Sequence, residues 1–366
     1  MSPGRLRAEA AIRLPDAGRY VEPICAHLEG HGARRRREGG AEEIAFPFAR
    51  GRFEATGDHL RITAEAEDAD LLFELQQEIE EHVEEFAGRA AGPLVWTGDA
   101  APRPERPPNF RLATVVGACL LSPGFRRVTL RCPNPLRFTS PNDLHVKLLV
   151  PPAGRPPEWP AFGPDGGFRW PSGPGRPEVR KYTVRSYDLG AGTLDVDFAL
   201  HGDPGPGARW GAEAQVGDQV GLVGPGGRAA PPADWLLLAG DETALPAIAR
   251  ILENARSGTR GVAVIELADA ADRQEIAKPA GVELRWLTRG RDAPLAQAVR
   301  DVVPPPAGSS RFFWAAAEHA VFRAMLAQAR RDGWGKAERL IVSYWRRGVA
   351  GEEDGALGSL LRAIAG

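Results

Sequence analysis

Residues 180–210 read Arg-Lys-Tyr-Thr-Val-Arg-Ser-Tyr-Asp-Leu-Gly-Ala-Gly-Thr-Leu-Asp-Val-Asp-Phe-Ala-Leu-His-Gly-Asp-Pro-Gly-Pro-Gly-Ala-Arg-Trp. Leu194, Val196, Phe198 and Leu200 alternate with Asp195, Asp197, Ala199 and His201, the period of a strand with one buried face. Asp188-Leu-Gly-Ala-Gly192 ahead of them reads as a hairpin turn. Towards the N-terminus, Arg127–Arg131 and Leu144–Val150 alternate in the same way. Several such strands joined by turns predict an antiparallel β-barrel over residues 109–232. A Pro-, Gly- and Trp-rich run, Pro151–Pro177, is expected to be a long excursion inside that barrel.

After Pro232 the pattern changes. Short apolar strands at 235–239, 261–267, 282–287, 311–315 and 339–344 are separated by helical segments at 244–255, near Asp272, at 293–302 and at 318–331. Strict alternation predicts a doubly wound parallel α/β sheet over residues 233–366, with ligands beyond the carboxyl ends of its strands. A barrel followed by such a sheet resembles the ferredoxin-reductase architecture, and that resemblance implies a flavin on the barrel and a nicotinamide on the sheet.

Residues 1–97 form an α+β N-terminal module. A helix is expected over 19–31, strands over 43–48 and 59–63, and an amphipathic helix with an acidic outer face over 71–86. No chemistry is legible there. Residues 98–108, Gly-Asp-Ala-Ala-Pro-Arg-Pro-Glu-Arg-Pro-Pro, read as a semi-rigid linker.

Composition bounds the function. The 366 residues carry a formal net charge of −2, which gives no ground for a nucleic-acid partner. The basic run Arg34–Arg37 is expected to be a solvated loop. No stretch is long and apolar enough to span a bilayer, and the first residues lack the apolar core of a secretory signal, so a cytoplasmic location is expected. Cys25, Cys119 and Cys132 are far apart, too few for a four-thiolate iron–sulfur cluster, and each is expected to be a small buried residue. No protein-bound metal site and no catalytic acid–base dyad or nucleophile is read. Any electron transfer therefore needs an organic cofactor.

Arg180-x-Tyr182-Thr183-x-Arg185 resembles the R-x-Y-T-x-R flavin motif of the siderophore-interacting protein family. His201-Gly202-x-x-Gly205-Pro-Gly207-Ala208-x-Trp210 resembles that family's H-G-x-x-G-P-A-x-x-W segment, with Gly207 where the family has Ala. The resemblance covers about residues 109–350 and extends to Gly217-Asp218 and Gly224–Gly227. It also takes in Trp314-Ala-Ala-Ala-Glu318, Tyr344-Trp-Arg346-Arg-Gly and the acidic turn Asp241-Glu242-Thr243. It implies FAD held by Arg180, Tyr182, Thr183, Arg185, His201, Gly202, Gly205, Ala208 and Trp210. It implies NADPH or NADH as electron donor, with contacts to Asp241, Glu242, Thr243, Arg289 and Glu318. Physically, Tyr182 offers a flat ring, Arg180 and Arg185 suit phosphates, and glycines let a helix start approach an anion. Thr243 reads as an N-cap, and Arg289 suits a 2′-phosphate.

By position, Lys147, Arg228 and Arg346 are expected to form a basic rim for an anionic ferric siderophore, with Lys147 pointing away from the core. The implied activity is reduction of the ferric siderophore by NAD(P)H through FAD, with release of Fe(II). Two alternatives fit the same residues: a generic flavin or ferric reductase supplying another enzyme, and a siderophore-binding protein without turnover. The N-terminal module resembles a small uncharacterised domain fused ahead of such reductases. Neither the siderophore nor the oligomeric state is legible.

Overall fold

The structure, a computed structural model, describes residues 5–30, 33–46, 49–92, 94–99, 106–107, 109–133, 135–162, 168–200, 205–305 and 310–349. They fall into two compact units. The first runs to Phe110 and also takes in Trp159–Pro171, and the second holds Arg111–Glu158 and Ser172 onward. Part of the expected excursion from the barrel thus clusters with the N-terminal unit.

The first unit is a six-stranded antiparallel sheet with two helices. Its elements are β1 (Leu6–Arg13), α1 (Gly18–Gly30), β2 (Arg34–Glu38), β3 (Ala41–Ala45), β4 (Ala49–Thr56), β5 (His59–Ala66), α2 (Ala69–Ala87) and β6 (Trp96–Gly98). Strand order is β2-β3-β4-β5-β1-β6. The apolar stripe of α2, Leu71, Leu72, Leu75, Ile79 and Val83, packs with Ile24 and Leu28 of α1 over Phe53, Leu60 and Ile62 of the sheet. Asp68 caps α2 through Leu71 N–H at 2.8 Å. Elsewhere on the sheet opposite charges face each other across strands, Glu43 opposite Arg52 and Glu54 opposite Arg61. Arg34–Arg37 is the edge strand β2 rather than a loop. Arg35 Nε donates to Glu42 Oε2 at 2.9 Å, and Arg37 lies 3.6 Å from the same carboxylate. Charged edges resist stray pairing, so a basic run can be strand.

The second unit opens with a seven-stranded antiparallel sheet. Its strands are β7 (Phe110–Ser122), β8 (Phe125–Arg131), β9 (His145–Val150), β12 (Glu178–Thr183), β13 (Ser186–Asp188), β14 (Thr193–Ala199) and β15 (Gln219–Gly226); α3 spans Pro206–Glu213. A two-residue ladder, β10 (Ala161–Phe162) and β11 (Phe168–Arg169), belongs to the first unit. Strand order is β12-β9-β15-β7-β8-β14-β13. β12 and β13 lie at opposite edges, yet only Val184 and Arg185 separate them. A flat sheet cannot meet that constraint, so this one closes into a barrel. At the seam Arg185 N donates to Asp195 O at 2.8 Å, and the rings of Tyr182 and Phe198 are 4.4 Å apart. Cys132 lies in this core, but Cys119, on the exposed end of β7, is a surface residue, contrary to the expectation. Cys132 continues the inward alternation of Val128 and Leu130; Cys119 pairs with Arg127 of β8 but lies in the exposed stretch 119–121 of β7.

A five-stranded parallel sheet follows: β16 (Trp235–Asp241), α4 (Leu245–Glu253), β17 (Arg260–Leu267), β18 (Gly281–Thr288), α5 (Leu295–Arg300), β19 (Arg311–Glu318), α6 (His319–Arg331) and β20 (Arg339–Trp345). Its order is β18-β17-β16-β19-β20, all parallel. β17 and β18 are joined by a single 3₁₀ turn, Ala270–Asp272, instead of a full helix. Separate apolar cores cover the two sheet faces. Among the described residues no helix is long and apolar enough to cross a membrane.

One buried cation ties sheet to barrel. Arg250 of α4 is 3% exposed and donates to Val184 O (3.0 Å), Phe138 O (3.2 Å) and Ser140 O (2.7 Å). Burial holds its pKa below the usual guanidinium value. Arg250→Ala strands three carbonyls, and the expected loss is about 3 kcal/mol, read from urea midpoints. An unchanged midpoint would show that this stitch contributes nothing.

In the first unit the Arg35 hydrogen bond holds Glu42 below the usual carboxylate range, against the opposing effect of burial. A carboxyl depressed by folding adds stability above its unfolded value, about 4.3, and loses it as pH falls through the folded value. Glu42→Gln is therefore expected to flatten the acid limb of β3 amide-exchange protection below about pH 4. An unaltered acid limb contradicts it.

Candidate functional site

β12 carries the motif residues on two faces. Arg180 and Tyr182 point one way, Lys181 and Thr183 the other. Arg180 donates to Glu178 Oε2 at 2.6 Å and Val179 O at 2.8 Å. Tyr182 is half-buried against Phe198, whose ring also lies 5.7 Å from that of Trp210 on α3. Burial pushes the Tyr182 hydroxyl well above its ordinary pKa.

The start of α3 lies on the same side. Gly205 is its N-cap and has no side chain to cap it, so among the described residues no side-chain cap takes the N–H groups of the first turn. Pro206 sits at the first helical position, where its missing N–H costs nothing. A Cβ at Gly207 would stand 2.7 Å from Tyr182 Oη and 3.2 Å from Arg180 Cγ. The departure from the family's Ala at this position lets α3 close against the tyrosine. Ala208 is half-buried beside it. His201 and Gly202 lie outside the described residues.

Thr183 is 6% exposed and pairs with His145 of β9; Lys181 pairs with Lys147 in the same ladder. The predicted rim residue Lys147 is itself only 9% exposed, so it does not project from the surface as expected. Its strand is central in the barrel, with β12 and β15 on either side. Lys181, which the sequence reading passed over as the variable position of the motif, is the exposed member of the pair. Burial, then the charges of Lys181 and Lys147, push His145 down to about 4, so its ring is neutral at pH 7. Cross-strand partners of a motif strand were the signal that would have found Lys181 and His145.

Arg185 lies in the link between β12 and β13, not on a strand face. Its guanidinium binds Glu253 of α4 through two bonds, 2.8 and 2.6 Å. Its buried Nε has no hydrogen-bond partner among the described residues.

The carboxyl ends of the parallel strands meet at Asp241, which is 2% exposed. Its Oδ1 accepts from Thr243 N (3.0 Å) and Oγ1 (2.5 Å); its Oδ2 accepts from Glu318 N and Trp345 Nε1, both at 2.8 Å. Burial, then the neighbouring Glu242, raises the Asp241 pKa against these donors. Thr243 is thus not the expected N-cap; Ala244 holds that place and Thr243 serves Asp241. Glu242, also 2% exposed, is bridged by both terminal nitrogens of Arg289, whose Nε reaches Glu266 Oε2 at 3.0 Å. Burial works against the charge of Arg289, but these two carboxylates more than offset it and raise its pKa. In this conformation Arg289 is held by Glu242 and Glu266 at the end of the sheet. Glu318 caps α6 through Ala320 N and accepts from Arg347 N.

Arg228 and Arg346 are both exposed. Trp314 Nε1 donates to Arg228 O at 3.2 Å, and the Trp314 ring lies 6.2 Å from that of Tyr344, two residues before Arg346. Through the Trp314–Tyr344 ring pair the chain brings the backbone of Arg228 and the end of β20, which leads into Arg346, into one neighbourhood.

Residues 114–229 match the family model described as a siderophore-interacting FAD-binding domain, and residues 233–348 match the siderophore-interacting protein model. Residues 9–97 match a model described as an uncharacterised protein conserved in bacteria. The chain is 35% identical over 185 residues to the ferric vibriobactin reductase ViuB of Vibrio cholerae, spanning 49% of this chain and 68% of that protein. It is 29% identical to the NADPH-dependent ferric-chelate reductase of Escherichia coli, over 65% of this chain and 93% of that one. The crystal structure of a siderophore utilization protein from T. fusca superposes with a TM-score of 0.59 at 35% identity, covering 67% of this chain and 95% of that chain. With that coverage and the ordered motifs of barrel and sheet, the chain belongs to the siderophore-interacting protein family.

Proposed function

We propose that this chain is a FAD-dependent reductase that moves electrons from NADPH or NADH to a ferric siderophore and releases Fe(II). Two relatives carry names of ferric reductases, one of them NADPH-dependent, which supports oxidoreductase chemistry in this fold. The observation that carries the reading is the Arg180–Thr183 strand lying beside an uncapped start of α3.

The residues present fit FAD. N–H groups at the start of α3 and the Arg180 guanidinium suit an anionic diphosphate, and Gly207 brings that helix start close against Tyr182. Tyr182 offers a ring face, and Thr183 a hydroxyl and a backbone N–H on the other side of the strand. His201, Gly202, Gly205, Ala208 and Trp210 complete the proposed FAD contacts, and the unpartnered Nε of Arg185 is a further donor. When bound, FAD supplies the redox chemistry, taking hydride from the nicotinamide and giving electrons singly to Fe(III). The nicotinamide is assigned to the carboxyl edge of the parallel sheet, near Asp241, Glu242, Thr243, Arg289 and Glu318. A 2′-phosphate contact by Arg289 requires it to leave Glu242 or Glu266.

Lys181, Arg228 and Arg346 supply exposed positive charge that attracts an anionic ferric chelate, with Lys147 behind them. Fe(II) then leaves because hard anionic oxygen ligands hold it far less tightly than Fe(III).

The direct test is anaerobic stopped-flow mixing of the flavin-loaded chain with NADPH and with NADH, followed by ferric siderophore and a ferrous trap. Flavin bleaching by at least one nucleotide and trapped Fe(II) are expected. A colourless protein that FAD cannot reconstitute, or reduction of free flavin and oxygen only, overturns the reading. Gly207→Val, which must push α3 off Tyr182, is expected to lower flavin occupancy, measured as visible-to-ultraviolet absorbance ratio, at least tenfold; unchanged occupancy contradicts the site. The double substitution Arg228→Glu, Arg346→Glu is expected to raise KM for the anionic chelate about tenfold, with kcat little changed and the effect fading at high salt. A fall in kcat at constant KM contradicts the rim.

A further inference from the structure

The N-terminal unit carries a cluster that no part of the reductase reading uses. His27 on α1, with His82 and Glu85 on α2, brings two imidazoles and a carboxylate together, their ligand atoms within 4.8 Å of one another. His82 and Glu85 are three apart on one helix and share a face. The His27 and His82 rings meet edge to face at 5.0 Å, and Phe86 lies 5.5 Å from His27 as an apolar wall.

The geometry points to a divalent transition-metal site at His27, His82 and Glu85, whose natural occupant is Fe(II). His82 is 4% exposed, and its Nδ1 lies 2.6 Å from the carbonyl of Glu78. A carbonyl only accepts, so Nδ1 carries the proton and Nε2 is the nitrogen that offers a lone pair. A ligating histidine is typically oriented in this way, by a carbonyl on its other nitrogen. Ligand atoms bonded to one ion at about 2.1 Å lie about 3 Å apart, so His27 and Glu85 must draw in. Both sit at exposed positions where side-chain rotation supplies that shift, while the buried His82 is held by its carbonyl contact. Helix α2 carries Glu74, Glu78, Glu80, Glu81, Glu84 and Glu85 with no Lys or Arg, a field that concentrates cations.

Two imidazoles and one carboxylate with open positions are a donor set suited to Fe(II). The site stands on α1 and α2; its identification with Fe(II) rests on the reductase reading, which makes that ion the product. The step is ligand exchange alone: Fe(II) trades chelate or water oxygens for two nitrogens and a carboxylate oxygen, with no electron moved.

The test is anaerobic calorimetric titration of the tag-free, full-length chain with Co(II), together with Co(II) X-ray absorption. One Co(II) per chain with an imidazole signature is expected. His27→Ala and Glu85→Gln, both at exposed positions, are expected to weaken binding at least tenfold with unchanged melting curves and ferric-reductase rate. Wild-type chain without bound Co(II), or variants that bind like it, overturns the site. A chain that reduces ferric chelates but takes no Co(II) overturns the site and leaves the reductase standing. Binding without any ferric reduction keeps the site and overturns Fe(II) as its cargo.

Discussion

The second unit depends on a guanidinium taken out of water. Arg250 sits on the first helix of the parallel sheet and gives its donors to three barrel carbonyls. A cation buried without a counter-ion is costly unless its N–H groups are satisfied. Here they are spent on backbone that has no other use for them. Arg185 and Glu253 add a second tie to the same helix. Together they fix the register between motif strand and sheet, so that ends of strands from two different folds present side chains in one unit.

The carboxyl ends of that sheet are organised by acids. Asp241 gathers donors from its own turn, from β19 and from β20, and Glu242 and Glu266 hold Arg289. An acidic turn at the edge proposed for the nicotinamide looks unsuited to a phosphate-bearing ligand. The structure shows that both negative charges are consumed internally, Asp241 by N–H groups and Glu242 by a guanidinium. The exposed charge near the aromatic cluster is left to Arg228 and Arg346.

Much of this was legible in residue order, and the exceptions share one cause. Period-two runs such as 194–200 reveal barrel strands because alternation is local. The parallel sheet is readable because each strand and its helix lie within one turn of each other in sequence. Side-chain partners are not local. Glu253, far downstream, decides what Arg185 binds, and Lys147 is buried although its own strand reads as alternating. Arg34–Arg37 looked like a loop because four arginines in a row ignore burial. Glu42 on the next strand makes them an edge. His27 and His82 each read as an ordinary helix residue until α1 and α2 are packed together.

The two-residue link between β12 and β13 carries a kinetic consequence. Strands so close in the chain, yet at opposite edges of the barrel, cannot both find their partners until the circle of strands is complete. Half-closed species gain little, because whichever of the two pairs first strains the other. The barrel should therefore assemble and melt as one cooperative block, its barrier set by long-range pairing rather than by any single hairpin.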